Sequence, residues 1–120
     1  MSCYCHCPDC KRVTGAPVAA FASFAALSLS LVPEPASFSV NPGVTRWACP
    51  VCHSPLAATY DYLPDMVYVP LGVLDQADEL PPSLHSHAEQ CLSWLHISDD
   101  LPRETGSARE TLLSVDEHKQ

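Results

Sequence analysis

Apolar and polar residues alternate in short runs along most of this chain, and nearly every run ends at a proline or glycine. Leu27, Leu29 and Leu31 alternate with Ser28, Ser30 and Val32, close to the period of two that buries one face of a strand. Pro33 and Pro35 end that run. Residues 18–26 (Val-Ala-Ala-Phe-Ala-Ser-Phe-Ala-Ala) fit a helical or an extended period, and the flanking alternation favours a strand. Phe38 and Val40 predict another short strand before an Asn41-Pro42-Gly43 turn. Residues 44–48 and 56–62 predict a hairpin with Cys49-Pro50-Val51-Cys52 at its tip. Met66 to Leu71 predicts a strand in which Pro70 marks an edge or an end.

Elsewhere the pattern is looser. Lys11 to Thr14 reads as a polar turn closed by Gly15, and residues 84–97 as a short helix or strand holding His85, His87, Trp94 and His96. Phe21, Phe24, Phe38, Trp47 and Trp94 are the aromatic candidates for a core. With twelve prolines and few long apolar runs, the expectation is a small, mainly β fold of antiparallel sheets whose cohesion a metal assists. Residues 1–102 would form the domain and 103–120 a polar C-terminal tail, disordered from Ser114 to Gln120.

The chain's 120 residues make a core at the small end of what folds unaided. Seven cysteines, with no signal peptide and no apolar run near the length of a membrane span, point to a soluble cytoplasmic protein whose thiols serve a metal or chemistry. Residues 1–60 carry three cations against two acids, a net of +1. Residues 61–120 carry three against twelve, a net of −9. No basic stripe follows the cysteines, so neither nucleic acid nor a membrane is an expected partner, and a small molecule or a protein is.

Cys7-Pro8-Asp9-Cys10 and Cys49-Pro50-Val51-Cys52 are two C-P-x-C turns, a spacing that aims two thiolates at one metal. Two arrangements fit. Cys7, Cys10, Cys49 and Cys52 could close one four-sulfur zinc site, which would stabilise the fold and catalyse nothing. Alternatively Cys5, Cys7 and Cys10 could curl three thiolates onto one face of a zinc and leave a position for substrate. Lys11, Arg12 and Arg46 are the cations near these cysteines and the candidates to receive a substrate carboxylate. His6, inside the first cluster, is expected to point away from its metal. His85 and His87, two residues apart, could face one pocket, and Cys91 is expected to be a buried thiol.

Residues 4–17, Tyr-Cys-His-Cys-Pro-Asp-Cys-Lys-Arg-Val-Thr-Gly-Ala-Pro, resemble the C-H-C-x-x-C-[RK]-x-x-x-G-x-P signature of the glutathione-dependent formaldehyde-activating enzyme and centromere protein V family. The resemblance continues through residues 42–56, 70–75 and 94–102. It implies an Mss4-like fold pinned by zinc, and a carbon–sulfur lyase that joins formaldehyde to glutathione as S-hydroxymethylglutathione. Carried over, Cys5, Cys7 and Cys10 would hold a catalytic zinc. Cys49 and Cys52 would hold a structural zinc with an earlier C-x-C. That earlier segment reads as lacking, so Cys49 and Cys52 would need His53, Cys91 or a partner chain, and a sheet edge left open would invite a homodimer. His53 stands where the family usually has glycine, so it would either take a strained backbone conformation or supply a ligand. The competing reading is a noncatalytic, zinc-stabilised protein-interaction module.

Overall fold

In the computed structural model residues 1–112 are described, and the tail expected from Ser114 onward lies outside them. The chain runs β1 (Ser2–Cys5), α1 (Pro8–Thr14), β2 (Ala19–Ala25), β3 (Val44–Ala48), β4 (Pro55–Tyr60), β5 (Leu63–Pro70) and β6 (His85–Ser86), with single 3-10 turns between them. The six strands make one sheet in the order β3-β4-β5-β2-β1-β6. The sheet is mixed, which corrects the expectation of several antiparallel ones. β6 returns after the long connection from Leu71 and runs parallel to β1, Tyr4 N–H donating to Leu84 O (2.9 Å) and His6 N–H to Ser86 O (3.1 Å). Parallel pairing needs such a connection, and no tight turn can make one.

The hairpin of β3 and β4 forms as its pattern predicts, with Arg46 opposite Ala58 and the C-P-x-C segment at its tip. Asn41-Pro42-Gly43 turns the chain into β3: Val44 N–H reaches Asn41 O at 3.2 Å, and Gly43 sits at φ 77°. β5 lies between β4 and β2, so Val67 to Pro70 are buried on both sides of the sheet. Pro70 is the last residue of that strand, where a missing N–H costs no ladder bond.

The strand expected at Phe38 and Val40 shrinks to a single bridge between Phe38 and Arg46, and two further local expectations fail for physical reasons. Residues 27–31 form no strand: β2 ends at Ala25, a 3-10 turn covers Ala26–Ser28, and Leu27 is fully exposed at 101 %. Alternation alone cannot hold a strand where no neighbour offers a ladder. Lys11 to Thr14 belongs instead to α1. Its N-terminus is capped by the Cys7 sulfur, which accepts from Cys10 N–H at 3.3 Å, with Pro8 in the first turn. Gly15 closes it at φ 68°, its N–H on Lys11 O at 2.8 Å.

The core is built around the cysteines. Cys3, Cys5 and Cys10 pack with Phe21, Tyr68 and Leu84, while Phe38 and Trp94 are exposed and only Phe21 of the five expected aromatics is buried. Past residue 102 the chain still contributes Ala108 and Leu112 to this cluster. Among the described residues no helix is long and apolar enough to cross a membrane.

Candidate metal centre

β1 sets Cys3 and Cys5 on one side of the sheet, two residues apart, and the chain then turns into α1 with Cys7 as its N-cap. The helix brings Cys10 back over Cys7. The result is three sulfurs, Cys5, Cys7 and Cys10, all within 4.8 Å of one another, with Cys5 Sγ 3.5 Å from Cys7 Sγ. In a tetrahedral zinc site with Zn–S near 2.3 Å, neighbouring sulfurs lie about 3.8 Å apart. This donor set therefore fits zinc with three soft ligands and one position left over. Among the described residues no other three potential ligands gather so closely.

The three thiols differ in how readily each gives up its proton. Cys7 is held far below the ordinary thiol range by hydrogen bonds from Cys10 and then Cys5. Cys10 is pushed up by its bonds with Cys5 and Cys7 and by burial. For Cys5 the bond from Cys10 pulls down, but the bond with Cys7 and burial outweigh it, and the thiol rises to about 11. A divalent cation held by Cys5, Cys7 and Cys10 would favour the thiolate form of all three. Cys3 lies deeper in the core, its thiol pushed up to about 12 mainly by burial, and it stays a neutral packing group.

The three sulfurs line a cavity of about 360 Å³, walled by Phe21, Tyr60, Tyr68 and Arg46 and rimmed by His87. Arg46 is only 4 % exposed, and its guanidinium lies 5.8 Å from the centre of the Tyr60 ring. Among the described residues no carboxylate pairs with it. The other two candidate cations stay outside the cavity: Lys11 Nζ donates to Gln90 O at 3.0 Å, and the exposed Arg12 lies 3.9 Å from Asp9.

Cys49 and Cys52 are far from this arrangement in character. They sit on the hairpin tip with Cys52 exposed, its Sγ 3.1 Å from Ser54 Oγ, and a single shell of Cys7, Cys10, Cys49 and Cys52 does not form among the described residues. His53 adopts the left-handed conformation at φ 65°, and no metal-ligand group includes it.

His85 and His87 part company because β6 ends at Ser86 and His87 enters the left-handed region at φ 53°, which turns it to the cavity. His85 faces the opposite way. There the structure holds a chain of contacts, buried at its two histidines, that sequence reasoning missed. His6 Nε2 lies 2.8 Å from His85 Nδ1, His85 Nε2 lies 2.9 Å from Asp99 Oδ2, and Arg103 donates to Asp99 Oδ1 at 2.6 Å. Both histidines are 2 % exposed, and Tyr4 stacks on His85. Asp99 is held down to about 2, chiefly by the His85 bond. His6 is held below its ordinary value, first by burial and then by His85. Only the pairing of His6 with two cysteines hinted at this; its partner His85 is 79 residues further along, and Asp99 a further 14 beyond His85. Cys91 is half-buried, its Sγ 3.5 Å from Leu92 O.

Residues 1–90 match the family model described as "Glutathione-dependent formaldehyde-activating enzyme", which is well over half of the chain. No curated protein matches it. The match includes the first residues of the chain, and β1 carries Cys5 into the Cys5, Cys7, Cys10 cluster, so an N-terminal cysteine segment able to ligate a metal is present. That overturns the reading in which such a segment is lacking.

Proposed function

The chain belongs to the glutathione-dependent formaldehyde-activating family, and from that premise we propose that it is a zinc-dependent carbon–sulfur lyase acting on adducts of a glutathione-type thiol. The reaction we assign is the joining of formaldehyde to the thiol as S-hydroxymethylglutathione, or its reversal. The observation that carries this reading is the three-sulfur cluster at the wall of a cavity whose one buried cation, Arg46, has no carboxylate partner among the described residues.

Cys5, Cys7 and Cys10 would hold the zinc, which when bound supplies a Lewis acid able to favour a thiolate or polarise a carbonyl. The rest falls to the chain's own side chains. Arg46, with its planar fork, receives a carboxylate of the thiol. An unpaired buried guanidinium is costly, so it gains most from an anion that enters the same dry space. Phe21, Tyr60 and Tyr68 exclude water around the reacting sulfur. His87 rims the cavity with its Nδ1 3.7 Å from Glu89 Oε1, which leaves Nε2 to accept the thiol proton. The sulfur lone pair then attacks the carbonyl carbon. The C=O π pair moves to oxygen, and the proton returns there from Nε2, so the step is balanced without another reagent.

Lys11 and Arg12, tied to Gln90 and Asp9, take no part in this scheme. The test is to follow formaldehyde by NMR with zinc-loaded protein, with and without glutathione. Consumption that needs both glutathione and the native Cys7 supports the assignment. Folded, zinc-loaded protein with no glutathione-dependent consumption removes it.

A further inference from the structure

The segment that delivers two of the three sulfurs is gripped from behind. Between Cys5 and Cys7 stands His6, which is almost fully buried and does not line the sulfur-walled cavity. Its backbone N–H donates to Ser86 O at 3.1 Å, and its ring Nε2 lies 2.8 Å from Nδ1 of His85, so one strand, β6, holds residue 6 at two points. β6 is held in its turn. His85 N–H donates to Pro102 O and Glu104 N–H to His85 O, both at 2.8 Å, while the far side of the His85 ring meets Asp99 at 2.9 Å. The Asp99 carboxylate is itself fixed, its Oδ1 accepting from Leu101 N–H at 2.9 Å and from Arg103 at 2.6 Å. Asp99 and Arg103 lie beyond residue 90, outside the part of the chain that matches the family model.

Packing does not account for this relay. Among the described residues His6 Nδ1 is buried with no hydrogen-bond partner, a cost that an apolar side chain in the same place would avoid. What the two rings supply is direction. A hydrogen bond constrains angle as well as distance, so rings bonded in series hold the torsions of residue 6. Those torsions set how the sulfurs before and after it face one another. Cys5 Sγ and Cys7 Sγ lie 3.5 Å apart, close to the separation of neighbouring sulfurs in a zinc shell. Donors that already stand in place need little further ordering when an ion enters, and hydrogen bonds behind a metal's ligands are worth about 10- to 100-fold in affinity.

We propose that His6, His85 and Asp99 are positioning residues for the metal centre: the relay they form fixes the Cys5-His6-Cys7 segment so that its sulfurs stand ready for the ion. None of the three belongs to the ligand cluster itself. This role presupposes that Cys5, Cys7 and Cys10 hold zinc, and it shows in metal affinity and not in turnover.

The experiment titrates the reduced full chain with zinc against a chromophoric chelator, and with cobalt(II) followed by its thiolate charge-transfer absorption. Binding that C7S abolishes is assigned to the cluster. His85→Phe removes both ring bonds and should weaken that zinc about 10- to 100-fold, with a weaker cobalt absorption at equal metal. Asp99→Ala, at the outer end of the relay, should weaken it by a smaller factor of about 3 to 10. Asp99→Asn still offers an oxygen to the His85 ring and should stay within about twofold of the native chain. Should His85→Phe fail to fold, Asp99→Ala carries the test, because the Asp99 side chain is 21 % exposed and outside the core. Val67→Ala is the control: Val67 is buried in β5, two strands away from β1, and its loss should lower the melting temperature with zinc affinity unchanged. Relay variants that melt lower yet bind zinc as tightly as the native chain would overturn the role, as would Asp99→Asn binding as weakly as Asp99→Ala. A native chain with no zinc that C7S removes would overturn the zinc reading itself and this role with it.

Discussion

The two C-P-x-C segments share a local sequence and have opposite fates. At Cys7-Pro8-Asp9-Cys10 the first cysteine caps a helix, the second is buried, and β1 brings the sulfur of Cys5 to within 3.5 Å of Cys7. At Cys49-Pro50-Val51-Cys52 the same spacing ends a hairpin in solvent, with Ser54 as the neighbour of Cys52. The motif sets the turn; the strand alongside sets how many donors arrive. A spacing rule therefore identifies a pair of ligands, and only the sheet register decides whether the pair becomes a centre.

The sharpest way to break this contrast is to delete a sulfur from the first knuckle. C7S should abolish zinc binding at the cluster and lower glutathione-dependent formaldehyde consumption by roughly a hundredfold or more, as removal of a metal ligand does, measured by elemental analysis and NMR. Arg46 tests whether the cavity, and not the knuckle alone, makes the first site functional. Arg46→Ala should raise KM for glutathione about 10- to 100-fold, the worth of one charge-assisted hydrogen bond, while zinc content stays unchanged.

The relay behind the first knuckle has no counterpart at the second. H85F removes both of its ring bonds and leaves His6 Nε2 buried without a partner, a loss of about 1–3 kcal/mol in a denaturant melt. The relay also gives a pH signature. His6 is held below its ordinary value of 6.5 by burial, so the folded state prefers the neutral ring. Its contribution is present in full above pH 6.5 and is lost as pH falls through that value and below. Asp99, lowered from 3.8 to about 2, contributes above pH 3.8 and loses its contribution as pH falls through 2. Thermal melts should show stability declining from about pH 6.5 downward, and H6Q should flatten that upper part of the decline.

The smallest effect belongs to the second knuckle. His53→Gly relieves the left-handed backbone and should stabilise by about 0.5–1 kcal/mol after the entropy cost of glycine is deducted. A melt showing H53G clearly less stable would mean that the imidazole does something at the tip beyond tolerating its turn.

Legibility followed the range of the interactions. The hairpin of residues 44–60, the turn at Gly43 and the strand end at Pro70 were readable because neighbouring residues decide them, while for His53 the family resemblance left a strained backbone or a ligand role open and the structure shows the left-handed backbone. So was the grouping of Cys5, Cys7 and Cys10, which one short segment delivers. Leu27 to Leu31 misled, since the alternation met no partner strand. α1 escaped notice because its cap is a cysteine sulfur, an unusual acceptor in that role. The burial of Arg46 and the contact of His6 with His85 depend on the order of strands in the sheet, which no local pattern specifies.

The parallel ladder between β1 and β6 has a consequence for biogenesis. Cys3 and Cys5 lie on a strand whose second neighbour begins 80 residues later, at His85. At a synthesis rate of about 5–20 residues per second, roughly 4–16 s separate the two on the ribosome. Through that interval β2 can pair with β1, but one edge of the cysteine strand has no wall. The nascent chain thus emerges with the sulfurs of its first strand made early and enclosed late, and its yield in the cell should depend on how reducing, and how rich in zinc, its surroundings are while it is being made.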